Sequence, residues 1–335
     1  MSLKTRFTER FDVDFPIVLA PMDLIAGGKL AAAVSAAGGL GLIGGGYGNA
    51  DWVEQAFLEA GKQPVGIGFI TWSVQQDLSI VEKALANKPS ALMVSFGDAE
   101  DVIEIAKAAG IPTIWQIQRF EQAVQAHQAN VDVIVVQGQE AGGHGMDRGL
   151  VSLVPAVRDL VGADGIVLAA GGIADGRGLA ASLMLGADGV MLGTRFWASR
   201  EASGSDAAKA RLVETGGDQT VRSKVFDVLR GVDWPWQYTG RIVENDVSRR
   251  WHGDMTALID QADAEREKYN ASAIDDFSTR VLIAGEALDL VSAVEPAGEI
   301  VHRIGSEAEI ILNGASRFLG QQSDQQERPS RGVQS

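Results

Sequence analysis

One histidine lies in a loop that is otherwise almost without side chains. Residues 137–145 read QGQEAGGHG, so His144 is flanked by glycines shortly after the apolar run VIVV, and the whole chain has only four histidines. An imidazole titrates near neutral pH and can therefore take or give a proton under working conditions. We interpret His144 as a catalytic or substrate-contacting residue. The other three histidines lie in helical or polar surroundings and are interpreted as structural.

Two further glycine clusters predict an anion-binding site. The sequences AAGGIADG and MLGTRF each continue an apolar run, and the first leads into a helical pattern. Backbone N–H groups can approach a phosphate closely where side chains are absent or small. Tight turns alone would explain one such cluster, but two clusters that each follow an apolar run favour a phosphate site. The N–H groups concerned belong to Gly171, Gly172, Gly193 and Thr194.

The elements that must position these residues form a regular series. Short apolar runs recur every 20 to 33 residues, with amphipathic alanine-rich segments between them. Continuous apolar runs are typical of strands that are buried on both faces of a parallel sheet. The predicted strands are 17–20, 40–45, 65–70, 91–96, 113–117, 133–138, 166–170 and 189–194.

Eight strand–helix units predict an α/β fold of the (β/α)8 TIM barrel type. A doubly wound open sheet is the alternative. It is less favoured because the series stops at eight and no dinucleotide-binding glycine fingerprint opens the chain. Functional groups of such barrels lie at the carboxyl ends of the strands, where each glycine cluster falls.

The strand–helix rhythm stops after Thr194. We predict that residues 1–200 together with 281–320 form the barrel, that 201–280 form an inserted helical subdomain covering its mouth, and that the polar tail 321–335 is disordered. A helical pattern is predicted to resume over 278–294.

Composition excludes several functions. The net charge is −15, from 29 basic and 44 acidic residues, which argues against nucleic acid or an anionic membrane as a partner. No cysteine is present, so disulfides and thiolate chemistry are excluded. The N-terminal sequence lacks an apolar core typical of a secretory signal, and no run of about 18 apolar residues occurs. We expect a cytoplasmic protein without a metal site.

A phosphate in this chain would belong to a phosphorylated substrate or to flavin mononucleotide (FMN). Four predicted strands end in APMD, GFIT, WQIQ and VQGQ, which present apolar and amide groups rather than lysines or paired carboxylates. These groups suit a flat, neutral, hydrogen-bonding ring. The amide of Gln137 has both a donor and an acceptor for the edge of a pyrimidine ring. The strand ends therefore favour FMN.

The motifs VVQGQEAGGHG, AAGGIADGRG and GADGVMLGTRF resemble those of the nitronate monooxygenases, formerly called 2-nitropropane dioxygenases. PIVLAPM and AAAVSAAGGLGLIGGG are similar to the same family, and the resemblance extends over most of residues 10–320. It implies an FMN-containing TIM barrel that oxidises alkyl nitronates, and neutral nitroalkanes where these are accepted, with O2 to a carbonyl compound and nitrite.

The resemblance also implies the roles of individual residues. Ala20 to Met22 would lie along the flavin, Gln137 at its polar edge, and His144 beside it as a base or as a hydrogen-bond donor to the substrate. Gly68 stands where related barrels often have an asparagine. The candidate cofactor-binding residues are Ala20, Pro21, Met22, Gly68, Gln137, Gly142, Gly143, Gly171, Gly172, Met191, Leu192, Gly193 and Thr194.

Two other functions remain open from the sequence. An FMN-dependent enoyl-ACP reductase would share the barrel, the cofactor and the glycine–histidine loop but would use NAD(P)H. A non-catalytic FMN-binding protein is the second alternative, and the complete His144 loop argues against it. The sequence is compatible with a homo-oligomer but does not specify one.

Overall fold

Eight parallel strands form the barrel in a computed structural model that describes residues 3–318. The predicted tail, 321–335, lies outside the described residues. The barrel strands are β1 (Ile17–Leu19), β2 (Gly41–Gly46), β3 (Val65–Ile70), β4 (Leu92–Ser95), β5 (Thr113–Ile117), β6 (Val133–Gln137), β8 (Ile166–Ala170) and β9 (Gly189–Leu192). Their order around the sheet is β1-β9-β8-β6-β5-β4-β3-β2. A parallel bridge between Val18 and Leu40 brings β1 next to β2, so the sheet nearly closes and the predicted TIM barrel is confirmed.

Alternation of side chains along each strand separates two apolar layers. In β6, Val133 and Val135 point into the barrel, where they pack with Val18 and Met191. The intervening residues pack outward against the helices. Because side chains alternate with a period of two, Gln137 continues the inward series and lies at the carboxyl-end rim.

Helices follow the barrel strands as the alanine-rich segments predict. Several have side-chain caps: Asp175, for example, accepts from the N–H groups of Arg177 and Gly178 at the start of α9. The helices of the barrel are α1 (Arg6–Phe11), α2 (Gly28–Ala36), α3 (Ala50–Ala60), α4 (Thr71–Val74), α5 (Ser79–Leu85), α6 (Glu100–Ala108), α7 (Phe120–Gln128), α8 (Leu150–Val161), α9 (Gly176–Met184), α10 (Thr194–Trp197) and α16 (Ala297–Asn313). Among residues 3–318, no helix is long and apolar enough to cross a membrane.

The segment predicted as a helical insert also contains strands. Its helices are α11 (Asp206–Val213), α12 (Val225–Arg230), α13 (Asp246–Trp251), α14 (Met255–Asp260) and α15 (Ala262–Ala271). Its strands are β10 (Thr220–Ser223) and β11 (Thr239–Val243), and they form an antiparallel sheet with β7 (Gly143–Gly145) of the histidine loop. His144 lies opposite Gly240 in this sheet. The insert is thus joined to the functional loop by backbone pairing, which a purely helical lobe would not provide.

The stretch predicted as a helix over 278–294 is mostly without regular secondary structure. Ile283 bridges to Ile242 of β11, and the N–H of Gly285 donates to the hydroxyl of Thr194 at 2.9 Å. Only a short 3-10 turn, Glu286–Leu290, is helical there, and α16 begins at Ala297. The apolar residues of this stretch are spaced as in a helix, but they line a cavity and pack under the insert instead.

Candidate active site

A cavity of about 530 Å³ opens at the carboxyl ends of the barrel strands, between the barrel and the insert. Its size is typical of sites for small molecules and cofactors. Of the fourteen predicted site residues, all but Leu192 line it. Leu192 is buried in the layer between strands and helices, because its side chain alternates outward from that of Met191. The structure thus brings together three separate glycine clusters and His144.

The wall formed after β8 and β9 exposes backbone donors. Gly171 and Gly172 have φ angles of +109° and +69°, a region that favours glycine. Within residues 3–318, the N–H groups of these two glycines and of Gly193 donate to no protein acceptor. The hydroxyl oxygen of Thr194 accepts from the N–H of Gly285, so its own proton is available to a ligand. This wall presents the kind of donor set that binds a phosphate.

Two of the predicted glycines are required by packing. A Cβ at Gly68 would lie 2.4 Å from Cγ of Pro21, so the end of β1 packs directly on the backbone of β3. A Cβ at Gly142 would lie 2.6 Å from the backbone of Ala284 and Gly285. These positions keep the cavity wall flat. Their lack of a side chain is explained by neighbouring protein atoms.

Two amide side chains, those of Gln116 and Gln137, line the cavity, and each is held by a hydrogen bond from or to a neighbouring side chain. Gln137 accepts from Nε2 of Gln118 at 2.9 Å and donates to the backbone oxygen of His144 at 3.1 Å. Next to them, Gln116 donates to the hydroxyl of Ser95 at 2.7 Å. The protein therefore already orients Gln137, and the second N–H of its amide remains as a donor for a ligand.

His144 is held between a carboxylate and an indole. Its Nε2 lies 2.8 Å from Oδ1 of Asp227, and its ring stacks on Trp234 with a centroid distance of 3.5 Å and an interplanar angle of 5°. The side chains of His144 and Asp227 are only 9% and 8% exposed. Burial lowers the pKa of His144, and the charges of Lys224 and Arg230 act in the same direction, while Asp227 opposes them. The imidazole is therefore neutral at neutral pH.

Aromatic side chains surround the histidine on the side of the insert. The indole N–H of Trp234 donates to the hydroxyl of Tyr47 at 2.8 Å. Trp72, Phe96 and Tyr238 meet Trp234 edge to face, with centroids 5.1 to 6.2 Å apart. Such contacts fix ring orientations as well as burying apolar area. Tyr47, Phe96 and Trp234 line the cavity here, so a ligand on this side would lie against aromatic rings.

Asp23, Arg230 and Arg280 are the charged groups among the residues that line the cavity. Burial raises the pKa of Asp23, and the positive charge of Arg230 partly offsets this. Burial likewise raises the pKa of Tyr47, whose hydroxyl therefore stays protonated at neutral pH.

Sequence reasoning missed Asp227 and Trp234. A carboxylate inside the apolar stretch VFDVL was the available signal for Asp227, because an acid at a buried position needs a partner. Nothing in the sequence indicates that Trp234, rather than Trp236, faces His144.

The comparisons with known proteins agree with this geometry. A model of the nitronate monooxygenase family matches residues 4–67 and 61–307. The chain belongs to this family. The family consists of flavin-dependent oxidoreductases acting on small molecules, and the chain is an enzyme of this type.

Two relatives of this nitronate monooxygenase family member are about one-third identical to it. The nitronate monooxygenase of Neurospora crassa is 34% identical, covering 87% of this chain and 88% of the relative. The nitronate monooxygenase npaC of Metarhizium robertsii is also 34% identical, covering 90% and 93%.

Solved structures show the same architecture. FabK from Thermotoga maritima superposes with a TM-score of 0.83 at 27% identity, covering 95% of this chain and all of that chain. The nitroalkane oxidase from Streptomyces ansochromogenes gives 0.73 at 26% identity, covering 92% and 99%.

Proposed function

We propose that this family member is an FMN-dependent nitronate monooxygenase, oxidising alkyl nitronates with O2 to a carbonyl compound and nitrite. The observation that carries the proposal is that one cavity joins a backbone donor wall, two amide side chains and a buried neutral histidine. The first two suit a phosphate-bearing flat ring, and the third suits proton transfer next to it.

The residues present fit FMN. Gly171, Gly172, Gly193 and Thr194 would hold the phosphate, because their N–H and O–H donors have no protein acceptor or are free to turn. Gln137 would donate its remaining N–H to a carbonyl or ring nitrogen of the flavin. Ala20 to Met22 would form the apolar surface along the ring. When bound, the flavin supplies the electron acceptor for the substrate and the electron donor for O2.

His144 would receive the proton of a substrate that arrives as a neutral nitroalkane. A nitronate has already lost its α-proton, whereas a nitroalkane must lose it before oxidation, and a base within hydrogen-bond reach is needed. The neutral imidazole set by burial is the form that accepts a proton. The aromatic side chains around Trp234 would exclude water while this happens.

One assay series tests the proposal. Purified protein should carry about one FMN per chain and should release nitrite and consume O2 with an alkyl nitronate in the absence of pyridine nucleotide. NAD(P)H consumption with an enoyl thioester and no nitrite release would instead identify the alternative, an enoyl-ACP reductase. A protein that fails to take up FMN on reconstitution would contradict the cofactor, and bound FMN without either turnover would indicate a flavin-binding protein.

A further inference from the structure

A buried carboxylate of the insert faces the catalytic histidine candidate on one nitrogen only. Asp227 lies on α12, 83 residues after His144 in the chain. Its Oδ1 lies 2.8 Å from Nε2 of His144. The other ring nitrogen, Nδ1, has no hydrogen-bond partner within residues 3–318 and is not among the fully buried atoms. His144 itself lines the cavity. The two nitrogens of the ring are therefore in different surroundings.

A neutral imidazole carries one proton, and its neighbours decide which nitrogen holds it. A carboxylate can only accept, so the contact with Asp227 places the proton on Nε2 and leaves the lone pair on Nδ1. Stacking on Trp234 fixes the plane of the ring, and the contact with Asp227 keeps Nε2 directed at the carboxylate. The arrangement is that of an acid–histidine pair, in which the acid sets the tautomer and the orientation of the imidazole.

Lys224 holds Asp227 in turn. Its ammonium nitrogen lies 3.1 Å from Oδ2 of Asp227, an ion pair whose angles fall outside hydrogen-bond geometry. The ammonium protons go instead to the backbone oxygens of Trp234 and Tyr238, both at 3.1 Å. Lys224 thereby links the carboxylate to the segment that supplies the stacking indole.

We propose that Asp227 is the positioning residue of His144 and that Nδ1 is the atom that accepts the substrate proton, an inference that rests on the proposed function. In the step, the Nδ1 lone pair takes the α-proton of a neutral nitroalkane. The electron pair of the broken C–H bond moves into the nitro group, giving the nitronate. The ring becomes an imidazolium, whose charge is compensated by Asp227 at 2.8 Å.

The variant Asp227→Asn separates this role from simple packing. An ammonium group has no lone pair, so the Asn amide should turn its oxygen toward Lys224 and its NH2 toward His144. Nε2 must then accept, and the ring proton moves to Nδ1. The base nitrogen is lost although the side-chain volume is nearly unchanged. The matched control is Asp233→Asn, which removes the same charge from an exposed position in the same segment.

The first readout is the ring tautomer in the FMN-bound protein, measured by long-range ¹H–¹⁵N correlation with ¹⁵N-labelled histidine. Only four histidines are present, and His144→Asn assigns the signal. We expect a proton on Nε2 in the wild type and in Asp233→Asn, and on Nδ1 in Asp227→Asn. A proton on Nδ1 in the wild type, or an unchanged tautomer in Asp227→Asn, would overturn the proposal independently of any activity.

The second readout is the ratio of turnover with a neutral nitroalkane to turnover with its preformed nitronate. Asp227→Asn should lower this ratio by about 10²- to 10⁴-fold, the range of general-base contributions, with FMN content unchanged. Equal losses with both substrates, or no nitroalkane turnover by the wild type, would overturn the base assignment. If the wild type oxidises neither substrate, the proposed function fails, while the tautomer measurement still decides the role of Asp227.

Discussion

Arg222 and Arg241, neighbours across β10 and β11, donate to the same backbone oxygen, that of Gln139, at 3.0 and 3.1 Å. Arg222 also donates to the backbone oxygens of Ala141 and Thr239. Burial, with the charge of Arg241 beside it, lowers the pKa of Arg222 to about 10, so the guanidinium stays charged at neutral pH. The two arginines therefore fasten the histidine loop to the insert by charge-assisted hydrogen bonds.

Removing this fastening should loosen the histidine loop. In Arg222→Met three donors to the loop and to β11 are lost, and the backbone oxygen of Gln139 keeps only the hydrogen bond from Arg241. We expect faster amide hydrogen exchange over 139–145 and lower turnover of both nitronate and nitroalkane. Arg249→Met, a change at an exposed surface ion pair of the same insert, is the control and should leave exchange in the loop unchanged. Unaltered exchange in Arg222→Met would show that backbone pairing alone holds the loop.

A carboxylate in the donor wall should abolish FMN retention. Gly193 is suited to this test because its φ is negative and a Cβ there would make only ordinary contacts at 3.6 Å. Gly193→Asp should therefore fold and place a negative charge against the phosphate. FMN content after gel filtration is the measurement. Gly253→Asp, at an open surface position, controls for the added charge, and equal FMN retention by both variants would argue against the assigned wall.

The indole stacked on His144 should matter for substrate more than for cofactor. Trp234 comes from the insert and is buried, whereas Trp236 is 64% exposed. We expect Trp234→Leu to raise KM for nitronates and to lower kcat for neutral nitroalkanes, because the ring loses its stacking partner and the cavity admits water. FMN content should stay near that of the wild type. Trp236→Leu provides the matched comparison, and identical kinetics in the two variants would refute the assignment.

The rate with a neutral nitroalkane should stay high at unusually low pH. A base works only when unprotonated, and the rate falls as pH drops through its pKa. Burial lowers the pKa of His144 below the ordinary value of 6.5; Lys224 and Arg230 add to this, Asp227 opposes it, and uncharged Trp234 covers one ring face. The acid limb of kcat/KM is therefore expected below pH 6.5. A limb above 6.5 would show that the net effect of the surroundings has the opposite sign.

The barrel and much of its rim could be predicted because the relevant signals are local. Strands buried on both faces appear as apolar runs, and β6 is predicted to within one residue. Once the strand is placed, the period of two puts Gln137 at the inward rim. The same rule explains why Leu192 lies outside the cavity while Met191 lines it.

The insert could not be predicted in the same way because its signals are not local. β7 consists of Gly-His-Gly, residues with little intrinsic preference for strands, and it pairs only because β11 lies beside it. Asp227 and Trp234 reach His144 across more than 80 residues of sequence. The stretch 278–294 has apolar residues at helical spacing, yet they are buried against the barrel core and the insert.

The shared sheet of β7, β10 and β11 sets a boundary for recombining relatives of this enzyme. In a chimera of two relatives, an inserted segment would ordinarily be exchanged whole, with both crossover positions in surface loops. Here one strand of the insert's sheet, β7, belongs to the barrel. His144 on that strand is paired with Asp227, which belongs to the insert. We therefore expect that residues 139–145 and 220–243 must come from the same parent sequence. A crossover between them would pair the histidine of one parent with the carboxylate and the indole of the other.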